Sequence, residues 1–301
     1  MGRQEDLLGL HMLNRIRNSF QFRCPQLAAR LFNELPLESV LELNSGASTS
    51  WSHLIPNHVY MTWEEKNFGK THANGLRQFR DLNHDCHFHL YDAKARDEYM
   101  DQHYGNHPIL SVYKSSKAGA MKADIWRYCI LYERGGFYFD INKCITVPLN
   151  QLVNLEDQAL LSYENNFLED VLPKEKAARL PLVLPHNATH RLQHINRPLL
   201  NWGLAFTAGH LLLERTIENI VKYAPYFEGK KFARMREPII ELTGPIMFTR
   251  TFYECLNANL EFSITQCGID FNGQGDPNMK GGWVRYLKNK SYVSIKDVSI
   301  F

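Results

Sequence analysis

Residues 124–142 read DIWRYCILYERGGFYFDIN, and the side chains in this run that could do chemistry fall at two spacings. Asp124 and Arg127 stand three apart in a stretch with helical apolar periodicity, so they share one helix face and can pair. Asp140 and Asn142 stand two apart at the end of GFYF, an apolar and aromatic run that suits a strand covered on both faces. Alternation along a strand end points both side chains the same way. Two oxygen donors so placed suit a hard divalent cation that keeps waters and takes phosphate oxygens from a substrate. Such a cation can neutralise a departing diphosphate. D-x-N alone equally suits a polar turn; the attached helix favours a site.

These residues need a scaffold that brings a helix face and a strand end together. Gly135-Gly136 stops the helix, as glycine does where a left-handed residue is required. Upstream, IPNHVYMTW (55–63) and HFHLYD (87–92) read as strands, residues 64–83 as helix-compatible, and residues 94–104 and 117–134 as helices. Downstream, LLSYEN (160–165) reads as a strand, NWGLAFTAGH as a strand or helix start, and HLLLERTIENIVKYA as a helix. Strand and helix in alternation predict an α/β domain with a mostly parallel sheet. Ligands bind such sheets at the carboxyl ends of the strands, where Asp140 falls. Residues 168–198 are proline-rich and polar, a long loop or lid. Residues 5–35 predict two amphipathic helices broken at Cys24-Pro25. The division expected is an N-terminal helical extension over 1–54 and a main α/β domain over 55–301.

At 301 residues and a net charge of +2, the chain has no signature of a nucleic-acid binder. Its six cysteines are scattered without a C-x-x-C pair, which argues for free thiols in a reducing compartment. No signal peptide and no membrane-spanning run is apparent, so a cytoplasmic location is expected. Basic residues in the N-terminal helices leave room for peripheral membrane contact. His84, His87 and His89, and His186, His190 and His194, are read as solvated or core-capping side chains. No G-x-S-x-G elbow and no phosphate-binding G-x-x-x-x-G-K-[ST] loop occurs.

The run from Asp124 to Asn142 resembles the DXD-containing sugar-binding region of family-32 glycosyltransferases, which include yeast mannosyltransferases and bacterial polysaccharide enzymes. It is also similar to the catalytic domain of large clostridial glucosylating toxins. The shared pattern is D-x-x-R-Y, a glycine pair and a strand ending in D-x-D, with Asn142 here in place of the last acid. Ile55, Pro56, Thr62 and Trp63 resemble the family's opening strand, Asn201 to Ala205 a donor-sugar element, Thr243-Gly244-Pro245 its T-G-P element, and NMKGGWVRY its closing loop.

The resemblance implies a GT-A type, Rossmann-like fold and transfer of a sugar from a UDP- or GDP-linked donor to an acceptor hydroxyl, with retention. It implies Asp140, Asp124 and Arg127 as catalytic residues. Thr62, Trp63, Tyr128, Asn201, Gly281 and Trp283 would join Asp124 and Arg127 in donor binding. Asp140, Asn142 and Asn278 would hold Mn²⁺ or Mg²⁺, more weakly than a full set of acids because two ligands are neutral. Lys280, Arg285 and Lys288 are candidates to share the cation's task. Glycan, lipid-linked glycan or protein are the acceptor classes left open. Three rivals stand beside this reading: a toxin-like protein glycosyltransferase, a non-catalytic nucleotide-sugar binder, and a methyltransferase. The last rests on VLELNSG (40–46), which resembles the first motif of S-adenosylmethionine enzymes.

Overall fold

The computed structural model describes residue 21 and residues 24–40, 51–185, 192–276, 278–287 and 292–301. The predicted helix before residue 21, most of VLELNSG, His186, His190 and Lys288 lie outside the described residues. Six strands form the central sheet: β1 (His58–Thr62), β2 (His87–Tyr91), β3 (Gly136–Phe139), β4 (Ala159–Tyr163), β5 (Gly203–Phe206) and β6 (Thr265–Ile269), in the order β2-β1-β3-β5-β4-β6. β1 runs parallel to β2 and β3, and β4 parallel to β6; β5 alone is antiparallel to its neighbours. The α/β expectation with a mostly parallel sheet is met. β6 was not expected, because TQCGI offers no apolar run to mark it.

Strand alternation sends the core to both faces of the sheet. Tyr60, Tyr138, Leu161, Leu204 and Phe206 face one cluster, and Val59, Met61, Phe137, Phe139 and Leu160 face the other. The helices of seven residues or more among the described residues are α1 (Pro25–Leu31), α2 (Lys70–Leu82), α3 (Ala93–Tyr104), α4 (Ile109–Ser115), α5 (Gly119–Arg134), α6 (Leu211–Phe227), α7 (Arg236–Leu242) and α8 (Pro245–Asn257). α2 places Ala73, Leu76 and Phe79 in the second cluster. α5 is buried continuously from Asp124 to Leu131, as a helix lodged between a sheet and α6 must be.

The link from α5 to β3 demands two glycines. Gly135 and Gly136 have φ of 64° and 103°, and a Cβ on Gly136 would lie 2.5 Å from the His58 carbonyl oxygen. Only glycine lets β3 start that close to β1.

The described part of the N-terminal segment is fastened to the sheet domain. Glu34 Oε2 accepts from the Thr71 amide at 2.9 Å, and Arg77 pairs with Glu38 at 2.8 Å. Among the described residues, the long segment after β4 is irregular apart from short turns of helix at Leu168–Val171 and Lys176–Ala178. Among the described residues no helix is long and apolar enough to cross a membrane.

Candidate active site

A cavity of about 310 Å³ opens at the carboxyl ends of β1 and β3, in the size range of small-molecule sites. Thr62 and Trp63 come from the end of β1, Asp124 and Arg127 from α5, and Tyr138 to Lys143 from the end of β3 and its turn. Asn201 precedes β5, Gly244 and Pro245 join α7 to α8, and Arg285, Tyr286 and Tyr292 close the far wall.

Its centre is a cluster of charged side chains, two of them buried. Arg127 Nη2 lies 3.0 Å from Asp124 Oδ1 and 2.9 Å from Asp140 Oδ1, and Nη1 donates to the Asn201 carbonyl at 2.6 Å. The guanidinium stacks over the Tyr138 ring at 4.4 Å, while the Tyr138 hydroxyl donates to Asp140 Oδ1 at 2.8 Å. The Asp124 side chain is only 10% exposed and that of Arg127 5%, so this is not the solvated i,i+3 pair that the spacing also allowed. The Thr243 hydroxyl donates to Asp124 Oδ2 at 2.9 Å. Burial first, and the Asp140 charge with it, raise the Asp124 carboxyl to about 7 against the pull of Arg127 and the Thr243 hydroxyl. Arg127 is held charged above its usual range, chiefly by Asp140 against the cost of burial.

Asp140 and Asn142 both line the cavity, but by a different route from the one expected. β3 ends at Phe139, and the Lys143 amide donates to the Asp140 carbonyl at 2.8 Å. The pair therefore sits on a closed turn, not on alternating strand positions. His72 on α2 anchors that turn. Its ring is fully buried and its Nε2 lies 2.8 Å from the Ile141 carbonyl oxygen. The carbonyl is an acceptor only, so Nε2 carries the proton. His72 Nδ1 has no hydrogen-bond partner among the described residues. Burial first, with the Arg285 charge, lowers its pKa to about 4 against the pull of the carbonyl.

A histidine with a depressed pKa in the folded chain stabilises fully above its unfolded value of about 6.5. That contribution is lost as pH falls from there toward 4 and amounts to about 3 kcal/mol at most. Thermal melts across that window should show this loss in the wild type. His72→Phe should flatten it while weakening ligand binding at every pH, because the Asp140 turn loses its anchor. Equal pH slopes in the two proteins would exclude this role for His72.

Thr62 and Trp63 stand where β1 leaves the sheet. The Thr62 hydroxyl donates to the Tyr91 carbonyl at 2.9 Å and accepts from buried Arg96 at 3.2 Å, which leaves it a wall-forming group. Trp63 meets the Tyr286 ring edge-on at 6.0 Å. Asn201 Nδ2 reaches Asp124 Oδ1 and the Tyr128 hydroxyl at 3.5 Å each.

Four placements differ from the expectation. Tyr128 does not line the cavity: its hydroxyl donates to the Thr243 carbonyl at 3.1 Å and its ring stacks on Phe248. Trp283 does not line it either, because it meets Phe32, just past α1, edge-on at 6.3 Å. Gly281, with φ of 76°, is packed against Thr71 and His72 at the start of α2. Asn278 is exposed, and its amide donates to Asp276 at 3.0 Å. The short pairing of Gly275–Asp276 with Cys144–Ile145 holds that loop beside the Asp140 turn. Sequence reasoning missed Tyr138, Lys143, His72 and Tyr292, and gave Thr243 no role of its own. Only Tyr138 had a signal, its two-residue spacing from Asp140.

The residues present do not by themselves make a centre for Mn²⁺ or Mg²⁺. Asp140 is the single carboxylate of the motif, and its Oδ1 is already taken by Arg127 and Tyr138. Asn142 adds a neutral amide, and no group of three His, Cys, Asp or Glu among the described residues is arranged to hold a metal. Hard cations are held by several oxygen ligands, with affinity set by ligand charge.

Residues 42–159 match the family described as "Glycosyltransferase sugar-binding region containing DXD motif". The chain is 27% identical over 248 residues, 75% of its length and 60% of the relative's, to an initiation-specific alpha-1,6-mannosyltransferase of Candida albicans. It is 27% identical over 211 residues, 67% of its length and 49% of the relative's, to the protein of the same name from Schizosaccharomyces pombe. The chain thus spans between half and three fifths of the curated relatives it matches. A solved structure titled PaToxG Glycosyltransferase superposes with a TM-score of 0.45 at 17% identity, over 68% of this chain and 74% of that one. The match over residues 42–159 takes in Asp140-Ile141-Asn142, so this part of the chain is similar to a glycosyltransferase sugar-binding region containing a DXD motif.

Proposed function

We propose that the protein is a hexosyltransferase that moves a sugar from a nucleotide diphosphate to an acceptor hydroxyl in polysaccharide or glycoconjugate synthesis. The observation that carries this reading is the Asp124–Arg127–Asp140 cluster at the carboxyl rim of the sheet, with Asp124 and Arg127 buried and Asp140 half-buried, all three lining one cavity. A buried and a half-buried carboxylate around one buried guanidinium suit a ligand that brings sugar hydroxyls and phosphate charge together. Asp124 accepts hydrogen bonds from the sugar, Arg127 spans sugar and phosphate, and Asp140 fixes Arg127 and Tyr138 in register. Mannose is the first sugar to test, since both relatives are named for mannosyl transfer.

Transfer with retention proceeds with departure and attack on one face. The C1–O bond to the diphosphate breaks with its electron pair on the phosphate oxygen. The acceptor oxygen bonds to C1, and its proton passes to the departing phosphate. Stabilising that leaving charge is the main catalytic task left to the protein.

Thermal shift with GDP-mannose, UDP-glucose, UDP-N-acetylglucosamine and S-adenosylmethionine tests the reading. One nucleotide sugar should raise the melting temperature by several degrees, and S-adenosylmethionine should not. A shift with S-adenosylmethionine alone would replace this reading by the methyltransferase.

A further inference from the structure

The cavity wall holds a cation that the described protein groups do not neutralise. Arg127 is balanced by Asp124 and Asp140. Arg285, on the opposite wall, donates to the Gly282 carbonyl and, at 2.8 Å, to the Tyr286 hydroxyl, both neutral. Its guanidinium lies over the Trp63 and Tyr286 rings, 5.5 and 4.3 Å from their centroids, and no carboxylate among the described residues pairs with it. Its Nε is buried without a hydrogen-bond partner among the described residues. Taking a guanidinium out of water costs free energy that aromatic faces recover only in part. Such an arrangement persists where an anion completes it.

A second cation lines the same cavity. Lys143 closes the Asp140 turn and lines the cavity beside Asn142, its ammonium 5.4 Å from the centroid of the Trp202 ring. Arg285 is also placed firmly. It belongs to the turn of 3₁₀ helix Gly282–Leu287, which Gly281 seats against Thr71 and His72. A Cβ on Gly282 would lie 2.8 Å from Arg285 Nη1, so the glycine makes room for the guanidinium.

We propose that Arg285, aided by Lys143, binds the donor diphosphate directly and supplies the leaving-group charge that a divalent metal supplies at a full D-x-D, so that donor binding needs no divalent metal. This rests on the nucleotide-sugar reading above. The guanidinium fork matches two phosphate oxygens at once, and the lysine adds a point charge. When the bond to C1 breaks, the charge gathers on the phosphate oxygen these two groups face. Neither has to move a proton.

Isothermal titration of the full chain with GDP and UDP, and with guanosine and uridine as controls, tests this in chelator and in Mn²⁺. The nucleoside diphosphate that binds should do so in chelator within about threefold of its affinity with Mn²⁺. Arg285→Gln should weaken it roughly 10- to 100-fold, the value of lost charge-assisted hydrogen bonds, and leave the matching nucleoside unchanged. Arg285→Lys should recover part of the loss. If Arg285→Gln melts well below the wild type, Lys143→Gln takes its place with the same expectation at a smaller factor. Binding that appears only with Mn²⁺, or that survives both substitutions, overturns the metal-free site and leaves the transferase reading standing. No binding of GDP or UDP under any condition overturns both.

Discussion

Asp140→Asn should lower donor turnover by roughly 10²- to 10³-fold, the scale of losing one preorganised electrostatic group at a reacting centre, with a melting temperature within a few degrees of the wild type. The two outcomes separate because the amide keeps the shape and loses the charge. The substituted side chain still offers an oxygen to Arg127 and to the Tyr138 hydroxyl, the two groups that Asp140 Oδ1 holds at 2.9 and 2.8 Å. What disappears is half of the negative charge that fixes the guanidinium. Arg127 then leans toward Asp124, 3.0 Å away, and leaves the position its proposed role requires. Asp140→Ala makes a poorer test. It strands a buried donor pair at a cost of about 1–3 kcal/mol each, so lost activity would mix with lost stability. Turnover and melting measured on the same preparation check the prediction; a variant with wild-type turnover would take Asp140 out of the chemistry.

The largest expected effect on stability lies one layer behind the site. Glu241 on α7 and Arg250 on α8 form an ion pair with side chains 0% and 1% exposed. Arg250 also donates to the Leu180 and Pro181 carbonyls, and Glu241 accepts from the Leu180 amide. The pair ties the irregular segment after β4 to the α7–α8 corner. Two residues past Glu241 stands Thr243, whose hydroxyl holds Asp124. Removing one partner leaves the other charge buried alone, which costs about 3–5 kcal/mol. Arg250→Met should therefore lower the unfolding free energy by that amount in chemical denaturation, whereas Glu241→Leu with Arg250→Met should recover most of it. A single substitution that costs under about 1 kcal/mol would show that the buried pair is not the fastener described.

What the sequence made legible and what it hid follow from where each signal lies. The Asp124–Arg127 face and the β3 end were readable because periodicity and a glycine pair are local. The turn at Asp140–Lys143 was misread as strand because D-x-N suits both, and only the Lys143–Asp140 backbone bond decides between them. Trp283 was expected over the diphosphate, but its partner is Phe32, 251 positions earlier, and no local pattern reports a contact of that range. His72 carried no signal either, since its role depends on a carbonyl 69 positions away. Arg285 was marked as one of three basic candidates, and the fold selects it: it lines the cavity, Lys280 is exposed and off the lining, and Lys288 is outside the described residues.

The measurement that bears most directly on the central claim is release of free nucleoside diphosphate from GDP-mannose and a panel of UDP-sugars by the wild-type chain, with water as the default acceptor. One donor should be turned over well above the rate of the Asp140→Asn protein run beside it, with the sugar recovered in the same anomeric configuration. Equal, background-level release from every donor by both proteins would contradict the account of Asp124, Arg127 and Asp140 as the centre of a sugar-transfer site.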